Sequence, residues 1–82
     1  MTIEMRTSEI AGYRLTYRLE EIPLRRGASY AIAVRIETDN GTEDAAVHDV
    51  CRNRADAEKF FHVIVKGLVT PCTLADVLED LL

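Results

Sequence analysis

The chain has 82 residues, 48% of them hydrophobic, and a formal net charge of −4, which suits a single small domain with a modest core. The negative charge disfavours nucleic acid as a partner without excluding it, because nucleic-acid-binding domains are usually basic. The sequence shows no signal peptide and no apolar run near the ~20 residues of a transmembrane helix. We therefore expect a cytoplasmic protein without membrane contact.

Residues 1–11 are polar and weakly patterned. They predict a flexible N-terminal tail or a short edge segment, followed by a single α+β domain over residues 12–82. Residues 13–20 alternate strictly between apolar and polar side chains, which is typical of a half-buried antiparallel strand. Its predicted core side comprises Tyr13, Leu15, Tyr17 and Leu19.

The strongest local signal is a β-hairpin around Asp39-Asn40-Gly41. The strand before this turn is predicted over residues 29–38, with Tyr30, Ile32, Val34 and Ile36 facing the core. The strand after it covers residues 42–50, where the alternation is weaker. A bulge near His48-Asp49 would return Val50 to the core side.

Two helices follow the strands. Asn53 is a suitable N-cap for the first helix, Gly67 is expected to end it, and its apolar stripe comprises Ala57, Phe60, Phe61, Ile64, Val65 and Leu68. The second helix is predicted over residues 70–82, capped by Thr70 with Pro71 in its first turn. Capping by Thr73 one turn later is the alternative.

The order of elements is β-β-β-α-α. It predicts an α+β fold in which a three-stranded antiparallel β-meander carries two C-terminal helices packed on one face. We call the opposite side of the sheet the Arg/Ala face, because it carries Arg14, Thr16, Arg18, Ala31, Ala33 and Arg35.

The Arg/Ala face has two interpretations. It is either a binding surface, since guanidinium groups recognise phosphates and carboxylates, or a solvated face with cross-strand ion pairs such as Arg18 or Arg35 with Glu20 or Glu37. Arg25 and Arg26 add charge on the loop after the first predicted strand. They would join the surface only if that loop folded beside Arg14 and Arg18.

Side chains that favour soft metals are few: His48, Cys51, His62 and Cys72. Their spacing lacks the two close pairs of a structural zinc site, so we predict no metal and no cofactor.

The sequence has no phosphate-binding loop, dinucleotide motif or nucleophile elbow, and we predict no catalytic residue and no enzyme. Both cysteines are expected to be free thiols, and their reactivity is left open.

Three blocks carry a resemblance to known sequences: Asp39-Asn40-Gly41, Asp49-Val50, and residues 69–82 with their spaced Val, Pro, Leu, Asp-Val and Glu-Asp. On these blocks, residues 28–82 resemble a family of short uncharacterised bacterial proteins of clostridial type, a domain of unknown function. The resemblance implies a cytosolic location and an unassigned function, and it implies no catalytic residues.

The first hypothesis for function is a non-enzymatic protein-interaction module. It would self-associate as a homo-oligomer, or dock to an unknown protein partner, through the Arg/Ala face. The alternative is binding of nucleic acid or another anionic ligand through the arginines of this face and of the neighbouring loop: Arg14, Arg18, Arg25, Arg26 and Arg35.

Overall fold

The computed structural model describes all residues, 1–82, as four β-strands followed by two helices. The strands form one antiparallel sheet in the order β1-β2-β3-β4, so every strand pairs with its neighbours in the sequence. The bounds are β1 Thr2–Ile10, β2 Tyr13–Pro23, β3 Ala28–Thr38, β4 Gly41–Cys51, α1 Arg54–Lys66 and α2 Leu74–Leu81.

The prediction of an α+β fold is confirmed, but that of a three-stranded meander is wrong. Residues 2–10, predicted as a flexible tail or a short edge segment, form a nine-residue edge strand that pairs with β2 as far as Ile10↔Tyr13. Ala11 and Gly12 connect the two strands with φ of 41° and 93°. Two central residues with positive φ are typical of a type I′ hairpin turn.

The core lies between the helices and one side of the sheet. We call this side the core face. Helix α1 contacts β2, β3 and β4, and α2 contacts β4 and α1. Because every second side chain of a strand points to the same side, the predicted alternation supplies the core face directly. Its buried side chains are Leu15, Tyr17, Leu19, Tyr30, Ile32, Val34 and Val50, and they pack against Ala57, Phe61, Ile64, Leu74 and Leu78 of the helices.

The predicted bulge in the last strand is confirmed. Ile32 pairs with Val47, whereas the next pair on the same side is Tyr30 with Cys51, so β4 holds extra residues at this point. Asp49 has a positive φ of 54° within the bulge. Val50 thereby returns to the core, where it is only 5% exposed.

The predicted ends of α1 are confirmed. The Asn53 side chain accepts a hydrogen bond from the Asp56 backbone N–H at 3.1 Å, and Gly67 is the C-cap. The next residue, Leu68, has a left-handed φ of 52°. Val69 N–H donates to the Ile64 carbonyl at 3.2 Å, which completes a Schellman motif. The left-handed position of this motif, here occupied by Leu68, usually holds glycine. Leu68 therefore leaves the predicted apolar stripe.

Helix α2 begins later than the first prediction. Its N-cap is Thr73, whereas residues 71–73 form a turn, so the alternative start is correct and the start at Thr70 is wrong. The Thr73 N–H donates to the Thr70 carbonyl at 3.1 Å. Leu74 and Leu78 are buried against the core, as the period of the helix requires.

Candidate functional site

The Arg/Ala face is the side of the sheet that neither helix covers. The pairing register assigns to it alternate residues of all four strands, because side chains opposite one another in a sheet share a face. From β1 it receives Met5, Thr7 and Glu9, and from β4 it receives Thr42, Asp44 and Ala46, in addition to the predicted residues of β2 and β3.

Two of the three arginines predicted on this face hold a carboxylate from a neighbouring strand. Arg14 Nη2 lies 2.7 Å from Glu9 Oε1, and Arg35 Nε lies 2.7 Å from Asp44 Oδ1. The hydrogen bond and the negative charge of Glu9 raise the pKa of Arg14. Asp44 raises the pKa of Arg35 in the same way. Both guanidinium groups are therefore compensated within the chain.

Arg18 is paired more loosely and within its own strand. Its Nη1 atom lies 3.8 Å from Glu20 Oε1, beyond hydrogen-bonding distance. Of the two carboxylates predicted as partners, Glu20 pairs with Arg18, whereas Glu37 acts on Arg14 and Arg35 only through its charge. The interpretation of a solvated face with ion pairs thus agrees with these three arginines.

Arg25 and Arg26 lie apart from the other candidates. They occupy the exposed loop between β2 and β3 and form no salt bridge. Arg14 stands near the opposite end of β2, roughly 30 Å away at the rise of a β-strand. The five arginines predicted as an anion site therefore do not converge, and anion binding stays a prediction.

An open cleft of about 530 Å³ lies at the other end of the sheet, between the β1–β2 and β3–β4 turns. Its charged lining consists of three carboxylates and one arginine: Glu9, Glu37, Asp39 and Arg14. A site with excess negative charge repels phosphates and carboxylates. The cleft was not predicted, because it depends on a β1–β2 turn that the sequence pattern did not reveal.

The uncharged part of the Arg/Ala face lies on β3 and β4. Ala31 and Ala33 are 3% and 6% exposed although no helix covers them. The residues opposite them on β2 are Glu20 and Arg18, which carry longer side chains. Ala46 on the edge strand is exposed. Among the alanines of this face, Ala46 therefore forms the exposed part of an uncharged patch, and Ala31 and Ala33 lie beneath its surface.

Met5 is a residue of this face that sequence reasoning missed. It is opposite Arg18 in the β1–β2 ladder, and 58% of its surface is exposed. Its position follows only once β1 is known to be a strand. The sole signal for this strand in the sequence was a short turn, in which two residues, one of them glycine, separate Ile10 from Tyr13.

The histidines and cysteines are distributed over several elements. Cys51 donates a hydrogen bond from Sγ to the Asn53 carbonyl at 3.3 Å. Cys72 is exposed and lies 3.3 Å from Thr70 Oγ1. His62 Nε2 is 3.5 Å from Glu4 Oε2. The protein has no group of three or more His, Cys, Asp or Glu side chains placed to hold a metal ion.

Neither α1 nor α2 combines the length and the apolar character that crossing a membrane would require.

No characterised protein and no solved structure matches the chain. The model of a family of unknown function, DUF6514, matches residues 1–82, which extends the resemblance expected for residues 28–82 to the β1–β2 hairpin. The chain therefore belongs to the DUF6514 family of unknown function.

Proposed function

We propose that this chain is a non-enzymatic protein-interaction module whose contact surface is the Arg/Ala face. The observation that carries the proposal is that both helices pack on the core face, while the other side of a four-stranded sheet stays uncovered. The proposal includes a cytoplasmic location and the bacterial, clostridial-type origin that the sequence resemblance implies.

The charges of the Arg/Ala face favour a protein over a polyanion. The three arginines of the face stand against four carboxylates, Glu9, Glu20, Glu37 and Asp44, which leaves one excess negative charge. Polyanions require an excess of positive charge. A surface with interspersed charges of both signs fits a protein surface with the complementary pattern, which fixes orientation more than it adds affinity.

The uncharged patch supplies the second element of an interface. Protein interfaces place apolar or small residues where the surfaces meet most closely and polar residues around them. Ala33 and Ala46 are opposite one another on β3 and β4, and exposed Met5 lies in the same row across the sheet. The face thus combines a close-contact area with paired charges.

Affinity capture from the native host tests the proposal. The tagged protein is compared with Ala46→Arg, which places a long cation on the Arg/Ala face, and with Val63→Arg on α1. Val63 is 46% exposed, so its variant carries the same added charge on the helical side of the molecule. We expect the captured partner to be retained by Val63→Arg and lost with Ala46→Arg. Retention by Ala46→Arg and loss with Val63→Arg would overturn the proposal.

A further inference from the structure

We infer that the partner of the Arg/Ala face is a second copy of this chain. A two-fold axis relates the two copies; it lies in the interface and runs along the strands, between β2 and β3. This inference rests on the proposed function and names its partner. A two-fold interface uses the same surface on both copies, so the surface must be complementary to itself. The rows of residues across the sheet meet this requirement.

The first row shows complementarity of size. The ladders place Met5 opposite Arg18, Arg18 opposite Ala33, and Ala33 opposite Ala46, so these four residues cross the sheet in that order. The two long side chains lie on β1 and β2, and the two alanines lie on β3 and β4. The proposed axis reverses the row of the second copy. Met5 then lies over Ala46 of the second copy, and Arg18 lies over its Ala33.

The row at the turn end shows complementarity of charge. It reads Glu9, Arg14, Glu37 and Thr42 from β1 to β4. Reversal of this row in the second copy places Arg14 over Glu37 and Glu9 over Thr42. Because the axis is two-fold, the Arg14–Glu37 contact occurs twice.

The row between these two contains Thr7, Thr16, Arg35 and Asp44. Reversal places Thr16 over Arg35 and Thr7 over Asp44. Each charged residue of this row therefore meets a hydroxyl of the other copy. In none of the three rows are two like charges superposed, and like charges would oppose association.

The area of the face agrees with the size of a stable interface. Strands spaced by ~4.8 Å that rise by ~3.3 Å per residue give four strands of this length a face of about 700 Å². Stable complexes bury about 800 Å² on each partner. Two sheets that pack face to face with strand directions within about 30° form an aligned sandwich. The exposed Met5 would be covered in this arrangement.

Sedimentation equilibrium measures the predicted assembly. We expect the wild-type protein to form a dimer of twice 9.2 kDa. Ala46→Arg places an arginine under Met5 of the second copy, and we expect it to raise the dissociation constant by about a hundredfold, as interface hot spots do. Val63→Arg should dimerise as the wild type does. Far-ultraviolet circular dichroism confirms that each variant is folded.

A mixing experiment tests the position of the axis. In Arg14→Glu the contact with Glu37 of the second copy becomes repulsive, and in Glu37→Arg the contact with Arg14 becomes repulsive. An equimolar mixture of the two variants restores attraction across the axis, whereas the repulsion inside each chain remains. We expect the mixture to associate at least about tenfold more tightly than either variant alone. A mixture no tighter than its components would overturn the proposed axis.

The outcomes separate this inference from the proposed function. A wild-type protein that is monomeric at millimolar concentration overturns the second copy as partner, and the capture experiment then decides the proposed function by itself. A wild-type dimer that Ala46→Arg leaves intact and Val63→Arg dissociates would overturn the use of the Arg/Ala face for self-association. A dimer lost with Ala46→Arg and restored by mixing the charge variants supports both.

Discussion

The two sides of the sheet differ in what organises them. On the core face, Leu15, Leu19 and Val34 are at most 1% exposed and belong to the hydrophobic core that the sheet shares with the helices. On the Arg/Ala face, the polar contacts are ion pairs between exposed side chains, such as Arg35 with Asp44. Exposed ion pairs of this kind contribute little to stability. The core face therefore accounts for folding. Because the ion pairs of the Arg/Ala face contribute little to stability, its side chains are available for contact with another molecule.

A truncation on each side of the sheet should give the largest contrast in stability. Phe61 is fully buried on α1 against the core face, and Phe61→Ala should lower the free energy of unfolding by about 3–5 kcal/mol through lost burial and a cavity. Thr42→Ala on the exposed end of the Arg/Ala face should change it by less than about 0.5 kcal/mol. Urea denaturation measures both. Equal effects would contradict the division of roles between the faces.

Removal of a buried hydroxyl on the core face should change the free energy of unfolding by less than Phe61→Ala does, and in the opposite direction. The Tyr17 hydroxyl is buried and has no hydrogen-bond partner, and an unpaired buried polar group costs about 1–3 kcal/mol. Tyr17→Phe should therefore raise the free energy of unfolding by about 1 kcal/mol. Tyr30→Phe is the matched control, because the Tyr30 hydroxyl donates to Glu21 Oε1 at 2.9 Å. It should destabilise the protein. A loss of stability in Tyr17→Phe would indicate a polar partner for the hydroxyl.

A still smaller effect is expected for the charges at the edge of the sheet. Hydrogen bonding by Arg52 lowers the pKa of Asp49. Because the folded-state pKa is the lower one, the carboxylate stabilises the fold above its unfolded-state pKa, and this contribution is lost as pH falls through the folded-state pKa. Asn tolerates the left-handed backbone of position 49.

Asp49→Asn should thus be less stable than the wild type at pH 7, and this difference should shrink as the pH is lowered from 7 to 2. Urea denaturation at both pH values, repeated at high salt, measures the difference. Added salt should reduce it, since the pair is exposed. A difference that grows at low pH would contradict the assigned direction of the pKa shift.

We expect no measurable binding of nucleic acid to the Arg/Ala face. The arginines at positions 14 and 35 already hold carboxylates, and the neighbouring cleft is acidic. Fluorescence anisotropy with a labelled mixed-sequence oligonucleotide should show no binding at low salt. Binding that weakens steeply with added salt would instead support the anion hypothesis, and loss of that binding in Arg25→Ala/Arg26→Ala would locate it at the loop.

The sequence revealed the elements that bury an apolar pattern. Strands β2 and β3 alternate with period two, and α1 repeats with the period of a helix, because each packs one side against the core. The bulge was predictable for the same reason, since Val50 was out of step with Val47 and had to return to the core. Strand β1 lacked this signal because its residues on the core side include Glu4, Arg6 and Ser8.

The residues of the candidate surface could be predicted, but their neighbours could not, because these depend on the pairing register of the strands. The alternation by itself assigns Arg14, Arg18 and Arg35 to one side of the sheet. Their partners Glu9 and Asp44 were missed, because Glu9 lies on the unpredicted strand and the position of Asp44 depends on the register of the β3–β4 hairpin. A register is set by turn geometry as well as by hydrophobic pattern, so it cannot be read from alternation alone.

The bulge in β4 has a consequence for solubility. As the outer strands of an open sheet, β1 and β4 expose unpaired backbone groups to which strands of other chains could add without limit. The bulge interrupts the regular edge of β4 at Asp49, and charged residues such as Arg6 and Glu43 occupy the two edge strands. Bulges and charges are the features by which natural sheets resist edge-to-edge aggregation. The same irregularity that completes the core thus disfavours fibril growth.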